Sequence, residues 1–574
     1  MLYTKVIITV KNEVIMNKIV ENKSNSNYIE EQFLLNHIIE KYDYYENERN
    51  SQIADNRLIK YAIYDSDIPR INAWDCKIQL PDIYELAQTL KSHLVQNLYS
   101  NPDAMFDVEG TDYETQKFAN RQKAMLVNVF EEMKVQDEME KIIDSVVETG
   151  EVTLFVGWET KTRKIRRAIS LDEQIAQNTI NNFIVEDKII YDNPKVKFIN
   201  YEDFVFDRAE KDNWDSCGKI YRTRQSFDEI KSNKSNNLLN REKLEMLKGV
   251  LAKKSRKNIS TSDNKIELLE YWGDIELPTG EVLKNKLIVV AARCVIIRYE
   301  DNPYVINPFI HANIIECPTT GRGISPLRVA LILNNISSTI LNKQLDALAL
   351  MMNPPYLAPK GCFKGEQNIH PGKIIEYDAT LMTAPPTAIS FDKAMQGWDF
   401  LNYFKSTIES ATGIFKNMSG NLQTYDRTAT EINYSVNGQE ARLNMMLESI
   451  NRKVIIPMVE KTAEIISNFK LGKEFILTKD SGKAIFIEVD DKIRNSNYVY
   501  HYGDRKAIFE RKSKLKELFE VFQSFVAIPE VKERINWLEC FKFAMEQYGI
   551  ENTNNFLIAD EQSDKDNLAS SMGK

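Results

Sequence analysis

The residues that could do chemistry are few and lie far apart in the sequence. The chain has five histidines and six cysteines among its 574 residues. The cysteines form no C-x-x-C pair, and the ligand spacing of a zinc site is absent. Carboxylate pairs occur at Asp65/Asp67 and Asp490/Asp491, but neither pair belongs to a motif with the ligand spacing of a calcium site. We interpret both pairs as parts of solvated loops.

Motifs of nucleotide-dependent and hydrolytic enzymes are absent as well. The sequence contains no G-x-x-x-x-G-K-[ST] phosphate loop, and Gly321-Arg-Gly323 lacks the lysine that such a loop requires. We interpret these three residues as a turn before a helix. No G-x-S-x-G or H-E-x-x-H motif occurs either. The sequence therefore predicts a protein with no catalytic residues, no metal and no cofactor.

Composition limits the class of protein further. A hydrophobic share of 43% in 574 residues is enough to bury the cores of several domains. The formal net charge is −9, whereas broad nucleic-acid binders carry a basic surplus, so any DNA contact should be local, weak or deliberately non-adhesive. No apolar segment reaches the length of a membrane span. We expect an intracellular protein without a membrane partner.

One basic, serine-rich stretch, Lys253 to Lys265, reads KKSRKNISTSDNK. Two interpretations stay open for it. It is either a solvated loop or a surface that touches a nucleic acid or a neighbouring subunit.

The elements before residue 320 begin with helices and continue with strands. Helical patterns cover Tyr28 to Glu48, Pro81 to Ser100, and one long stretch from Tyr113 to Glu148 that ends at Gly150. A mixed region follows, with a short helical piece, Ser226–Leu251. Its strand-like runs are Val152–Trp158, Asn182–Tyr191, Asp203–Asp207, Lys219–Thr223, Lys265–Trp272, Val282–Tyr299 and Ile310–Ile315.

A long helix is predicted to start at Ser325, which can cap it, with Pro326 in the first turn. It spans roughly 25 residues, or about 37 Å, and must stop at Asn353-Pro354-Pro355. A set of apolar residues at helical spacing shares one face of this helix. They are Val329, Leu333, Ile336, Ile340, Ala347 and Met351.

The next segment is rich in proline, with six of the chain's 17 prolines within 354–390. A second helix from Phe391 to Ala411, with an apolar stripe at Met395, Trp398, Leu401, Phe404 and Ile408, ends at Gly413. A capping box at Thr428–Glu431 opens a third helix that Pro457 kinks. The remaining predicted elements are strands Glu474–Thr478 and Ala484–Val489 and helices Asp504–Val526 and Val531–Tyr548.

The order of these parts resembles the portal proteins of tailed bacteriophages, also called head-to-tail connectors, of the podovirus type. The resemblance covers most of residues 70–470. The segments that carry it are WDCKIQLPDIYELAQTLKSHL (74–94), YEDFVFDRAEKD (201–212), GRGISPLRVALILNN (321–335), NPP (353–355), TYDRTATEINY (424–434) and ARLNMMLESINRKVIIPMVE (441–460).

This resemblance implies an α+β portal-protein fold with a mixed α/β wing, a two-helix stem, a small proline-rich clip and a helical C-terminal crown. The implied boundaries are a flexible N-terminal extension at 1–27, the wing at 28–324, a stem helix at 325–352, the clip at 353–390, a second stem helix at 391–414, a tunnel loop at 415–430, a return helix with wing strands at 431–500, the crown at 501–560 and a flexible tail at 561–574.

The resemblance also implies a function that is not enzymatic. Such proteins form a ring, typically a dodecamer, at one capsid vertex, through which DNA is packaged and later ejected and to which the tail attaches. The implied partners are the terminase large subunit, the major capsid protein, a tail adaptor or head-completion protein, and double-stranded DNA. The implied location is the virion, and the host cytoplasm during assembly. Two alternatives stay open: a DNA-packaging enzyme, and another capsid or adaptor structural protein.

Candidate site residues follow from the same resemblance. In the tunnel loop, the candidates for DNA contact are Lys416, Asn417, Gln423, Tyr425 and Arg427. In the clip, the candidates for partner binding are Pro354, Pro355, Lys360, Lys364 and Lys373.

Overall fold

The computed structural model describes most of the chain up to residue 502. The described residues are 25–64, 76–98, 105–168, 183–207, 213–232, 249, 265–318, 321–352, 356–357, 387–388, 398–414, 442–480 and 483–502. Helices and strands are both abundant, which confirms the predicted α+β class. The chain divides into two compact units. The first is Met1–Leu94, Glu140–Gly157 and Lys197–Leu447, and the second is Val95–Met139, Trp158–Val196 and Glu448–Lys574.

The described helices, in chain order, are α1 (Asn25–Tyr64), α2 (Asp82–Leu98), α3 (Tyr113–Gln116), α4 (Ala119–Met133), α5 (Val135–Thr149), α6 (Phe227–Ser232), α7 (Arg328–Met352), α8 (Trp398–Thr412), α9 (442–450), α10 (Ile456–Phe469) and α11 (Asp491–Arg494).

The described strands are β1 (Phe106–Gly110), β2 (Glu151–Ala168), β3 (Phe183–Ile199), β4 (Phe204–Phe206), β5 (Lys219–Ser226), β6 (Lys265–Glu276), β7 (Val282–Ala291), β8 (Val295–Asp301), β9 (Phe309–Asn313), β10 (Tyr356–Leu357), β11 (Thr387–Ala388), β12 (Glu474–Asp480), β13 (Lys483–Val489) and β14 (Tyr498–Tyr502).

The centre of the first unit is a five-stranded antiparallel sheet in the order β4-β5-β6-β7-β8. Both faces of the sheet are buried. Successive side chains of a strand point to opposite faces, and apolar residues occupy consecutive positions in these strands, so each face carries apolar side chains. Leu269 and Tyr271 belong to the core beneath α1, whereas Leu268 and Trp272 belong to the core on the opposite face. This sheet is the part of the fold that the predicted strand runs described best.

Helix α1 packs on this sheet through residues spaced four and three apart, including Leu34, Ile38 and Tyr42. Further along the same helix, polar side chains bond it to residues at the ends of β4. The Tyr45 hydroxyl donates to Asp207 at 2.6 Å, and the buried Arg49 guanidinium donates to the backbone oxygen of Phe204 at 3.4 Å. The helix continues to Tyr64, well past the predicted end at Glu48.

Two elements that were predicted as continuous are interrupted in the structure. The stretch from Tyr113 to Glu148 is three helices instead of one, and Lys134 adopts a left-handed conformation with φ 53° between α4 and α5. The run Val282–Tyr299 is a hairpin of β7 and β8, because Ala292 and Arg293 turn the chain with φ of 50° and 56°. In both places a non-glycine residue makes the turn, so no glycine or proline marked it in the sequence.

Glu270, in the middle of β6, provides a pH-dependent test of the sheet. Burial raises the pKa of its carboxyl group, although the Thr223 hydroxyl donates to it at 3.2 Å and Lys197 lies nearby. Because the pKa of Glu270 is raised in the folded state, its contribution to stability is fully present at pH values below its unfolded-state pKa. This contribution is lost as the pH rises through the folded-state pKa. We therefore expect Glu270→Gln to raise the midpoint of thermal unfolding more at pH 8 than at pH 5. Exposed Glu276→Gln on the same strand should change neither midpoint, and equal curves for all three proteins would contradict this expectation.

The second unit contains two antiparallel pairs, β1-β14 and β12-β13, with α4 in contact with both. Its helix α10 follows a π-helical turn, Asn451–Ile455, and carries Pro457 at its start. Proline cannot donate a backbone hydrogen bond and its ring crowds the preceding turn. The irregularity predicted at Pro457 is therefore present as this wider turn.

Candidate functional site

Within the described residues, no group of three or more histidine, cysteine, aspartate or glutamate side chains is arranged to hold a metal ion. A cleft of about 800 Å³ lies beside β5, and its lining includes Lys197, Arg222, Arg224 and Lys265. Arg222 is already paired with Asp203 at 2.7 Å. Lys265 is the only member of the predicted basic stretch inside the described ranges. No described helix is both long enough and apolar enough to span a bilayer.

The most distinctive part of the first unit is the 25-residue helix α7. It begins at Arg328, two residues after the predicted first residue, Pro326. The Ser325 hydroxyl accepts from the backbone N–H of Leu327 at 3.1 Å and donates to the backbone oxygen of Val147 at 2.7 Å. The first bond caps the helix, and the second ties its base to the end of α5.

A close approach of two backbones supports the same base. Gly150 has φ +73°, and a Cβ atom placed on it would lie 2.2 Å from the backbone oxygen of Ile324. Next to it, the Glu151 carboxylate accepts from the backbone N–H of Gly323 at 2.9 Å. The helix can start at this position only because residue 150 has no side chain.

A short segment, Cys76 to Leu80, lies along α7 and is here called the strap. Its backbone is held by side chains of the helix. The N–H of Cys76 donates to Asp346 Oδ1 at 2.7 Å, and the N–H of Leu80 donates to Ser338 Oγ at 3.1 Å. Between them Asn342 makes two bonds to the backbone of Ile78, with its Oδ1 accepting from the N–H at 2.8 Å and its Nδ2 donating to the oxygen at 2.9 Å.

The strap can bond to the helix at three successive positions because the repeat lengths of the two segments are nearly equal. Bonds to every second strap residue are the pattern of an extended chain, in which two residues advance about 6.6 Å. The helix supplies a partner every four residues, an advance of about 6.0 Å. The two repeats run in opposite chain directions and stay in step over three positions. Each strap N–H that faces the helix is thereby satisfied without a second strand.

Asn342→Ala tests the strap directly. The variant loses two hydrogen bonds to Ile78, so the free energy of unfolding should fall by about 2 kcal/mol. Asn335→Ala, on an exposed position of the same helix, is the matched control and should cost far less. Urea unfolding gives the free energies, and hydrogen exchange at the Ile78 amide reports the strap itself. Equal losses in the two variants, with Ile78 still protected, would contradict this account.

The face of α7 that is buried in the chain is rich in polar residues. Its buried members are Ala330, Leu331, Asn334, Ser337, Ser338 and Asp346. Asn334 is 0% exposed, and neither its Oδ1 nor its Nδ2 has a hydrogen-bond partner within the described structure. Ser337 is buried without a partner in the same way. Unpaired buried polar groups cost free energy, so Asn334 and Ser337 do not contribute to the stability of a single chain.

Three apolar residues near the start of α7 are exposed on the side opposite to its buried face. Val329 is 56% exposed, Ile332 62% and Ile336 40%, and their three- and four-residue spacing places them on one side of the helix. We call these three residues the apolar stripe. Leu333, Ile340, Ala347 and Met351, which the sequence placed on the same face as Val329 and Ile336, are only half-buried. At these positions the helix buries polar groups and exposes apolar ones, the reverse of an ordinary surface helix.

Helix α8 packs against α7. Leu401 and Ile408 of its predicted stripe are buried, and Phe404 is half-buried. Gly413 ends the helix with φ +74°, as predicted. Arg442 donates to the backbone oxygens of Ser410 at 3.1 Å and Ala411 at 3.4 Å, where a cation complements the negative end of the helix.

All ten predicted site residues lie outside the described residues. They are Lys416, Asn417, Gln423, Tyr425 and Arg427 of the predicted tunnel loop and Pro354, Pro355, Lys360, Lys364 and Lys373 of the predicted clip. The strap partners on α7 were missed by the sequence reasoning. Their signal was present as Ser338, Asn342 and Asp346, three polar residues four positions apart in an apolar helix.

A comparison with known families gives one result. The family model described as phage SU10 portal protein matches residues 34–492. That range includes the five-stranded sheet, the strap, α7 and α8. No curated protein matches the chain.

Proposed function

The chain belongs to the phage SU10 portal protein family, and from this membership we propose that copies of it form a closed ring at one vertex of the capsid. A portal family implies a structural protein, an oligomeric ring and association with the capsid. We propose further that genomic DNA is packaged and ejected through the ring, and that the tail attaches to it.

The observation that carries the proposal is the apolar stripe of α7. Water-exposed Val329, Ile332 and Ile336 on one face favour association, because burial of apolar surface is the main driving force for protein association. The proposed occupant is a second copy of the same chain. A head-to-tail contact repeated with a fixed rotation closes into a ring when the rotation divides the circle.

The geometry of α7 fits the proposed stem. A 25-residue helix is about 37 Å long, and α8 lies against it. In the proposed ring, these two helices of each copy surround the channel. Segment 353–390 would form the clip for the terminase and later for tail adaptors. Segment 415–430 would form the loop that faces the DNA, with Lys416 and Arg427 as its cations.

Electron microscopy of the full-length protein in negative stain, together with a measurement of particle mass, tests the proposal. We expect rings with a central hole and about twelve copies. Compact dimers with a deep cleft would overturn it. Hydrolysis of ATP by the pure protein would also contradict the structural role that the family implies.

A further inference from the structure

The second unit carries a ribbon that the proposed channel does not use. Strand β2 from Thr160 onward and the facing part of β3, residues 183–192, form this two-stranded ribbon. In β2, residues 160–164 are exposed without interruption, and so are Arg166 and Arg167. Because successive side chains alternate between faces, an unbroken run of exposed residues means that neither face of the ribbon is covered.

This exposed strand is strongly basic. Between Thr160 and Ala168 it contains no acidic residue and five basic ones: Lys161, Arg163, Lys164, Arg166 and Arg167. Across both strands of the ribbon there are six basic and three acidic residues, although the whole chain has a net charge of −9. The ribbon is therefore a local positive feature on an acidic protein.

Internal partners neutralise only part of this charge. Lys161 pairs with Glu159 at 3.0 Å and Arg167 with Glu186 at 3.3 Å. The guanidinium of Arg166 lies 5.0 Å from the centre of the Phe183 ring. Within the described residues, Arg163 and Lys164 have no carboxylate partner. As neighbours in a strand, these two cations point to opposite faces.

The base of the ribbon is fixed, so its outer part is presented in a defined orientation. The Trp158 ring stacks on Phe469 at 5.2 Å with an angle of 12° between the planes. The Trp158 indole N–H and the Thr160 hydroxyl both donate to Asp192 Oδ1, at 2.8 and 2.7 Å. These contacts join β2 to β3 at the point where the exposed part begins.

We propose that this ribbon binds the phosphate backbone of double-stranded DNA without reading its sequence. The major groove admits a two-stranded ribbon, and a ribbon in a groove has a phosphate wall on each side. Cations on both faces, Arg163 on one and Lys164 on the other, suit that arrangement. Guanidinium groups bind phosphate oxygens through paired hydrogen bonds. Its residues are different from those of the proposed channel loop, and binding through them requires no ring.

The test measures the binding of full-length protein to a fluorescein-labelled duplex by fluorescence anisotropy over a range of salt concentrations. We compare the wild-type protein, Arg163→Gln/Lys164→Gln, and the control Lys231→Gln/Lys284→Gln. The control removes two exposed lysines elsewhere in the chain, so its loss of charge is the same. Each lost phosphate contact lowers the slope of log affinity against log salt by about 0.9.

We expect the ribbon variant to bind roughly tenfold more weakly and to lose about 1.8 from the salt slope, while the control keeps the wild-type values. Two duplexes of unrelated sequence should give the same result. Equal affinity and slope for the ribbon variant and the control would overturn the proposal. Absence of wild-type binding at low salt would also overturn it and would favour an acidic protein surface as the partner. Ring formation by the ribbon variant should be normal, so this test and that of the proposed ring can fail independently.

Discussion

Ile332→Asp is expected to abolish ring assembly while leaving the single chain folded. Ile332 is 62% exposed in the apolar stripe of α7, so the substitution removes nothing from the core of the chain. In the proposed ring the new carboxylate would be buried without a partner at every interface, at a cost of several kcal/mol each. Particle mass and negative-stain images should show monomers or small oligomers, with the wild-type circular dichroism spectrum.

The matched control for this variant is Asn335→Asp. It adds the same charge to an exposed position of the same helix, but outside the apolar stripe. The control should assemble as the wild-type protein does. Normal rings from Ile332→Asp would show that the apolar stripe is not an interface between copies. Loss of rings from both variants would point to a general charge effect on the helix instead.

Gly150→Ala is expected to destabilise the first unit by about 3 kcal/mol or more. Two costs add at this position. A left-handed backbone with φ +73° costs a residue with a side chain about 1–2 kcal/mol. The added Cβ would also lie 2.2 Å from the Ile324 oxygen, and such overpacking costs about 1–3 kcal/mol more. Thermal unfolding and soluble yield measure the loss.

Gly280→Ala separates the two costs. Gly280 has φ +82°, and nothing lies within 4 Å of a Cβ placed on it. This variant should lose only the backbone cost, about 1–2 kcal/mol. If the Gly150 and Gly280 variants lose the same stability, the contact between Gly150 and Ile324 has no energetic weight, and the base of α7 tolerates movement.

Local signals predicted the parts of this fold that depend on neighbouring residues. Ser325 was predicted as a cap and is one, and Gly413 was predicted to end α8 and does. Each of these features is decided within a single helical turn. The strands around Leu269 and Val290 were found for a similar reason, since runs rich in β-branched or aromatic residues favour strands.

Features that depend on distant residues were not predicted. The strap joins residues about 260 positions apart in the sequence, as between Leu80 and Ser338. Sequence periodicity placed Val329 and Ile336 on one face of α7 but did not show that this face is uncovered in the chain. Periodicity identifies which residues share a face, whereas packing decides which face is covered.

The strap can change position only in discrete steps. Because its bonds recur every four helix residues, a partial slide would break all of them, and only a shift of about 6 Å along the helix axis would bring the next partners into place. Asn334 continues the spacing of Ser338, Asn342 and Asp346, and its buried amide has no partner within the described structure. The strap therefore resists small displacements along the helix, and no position between two such registers keeps its bonds.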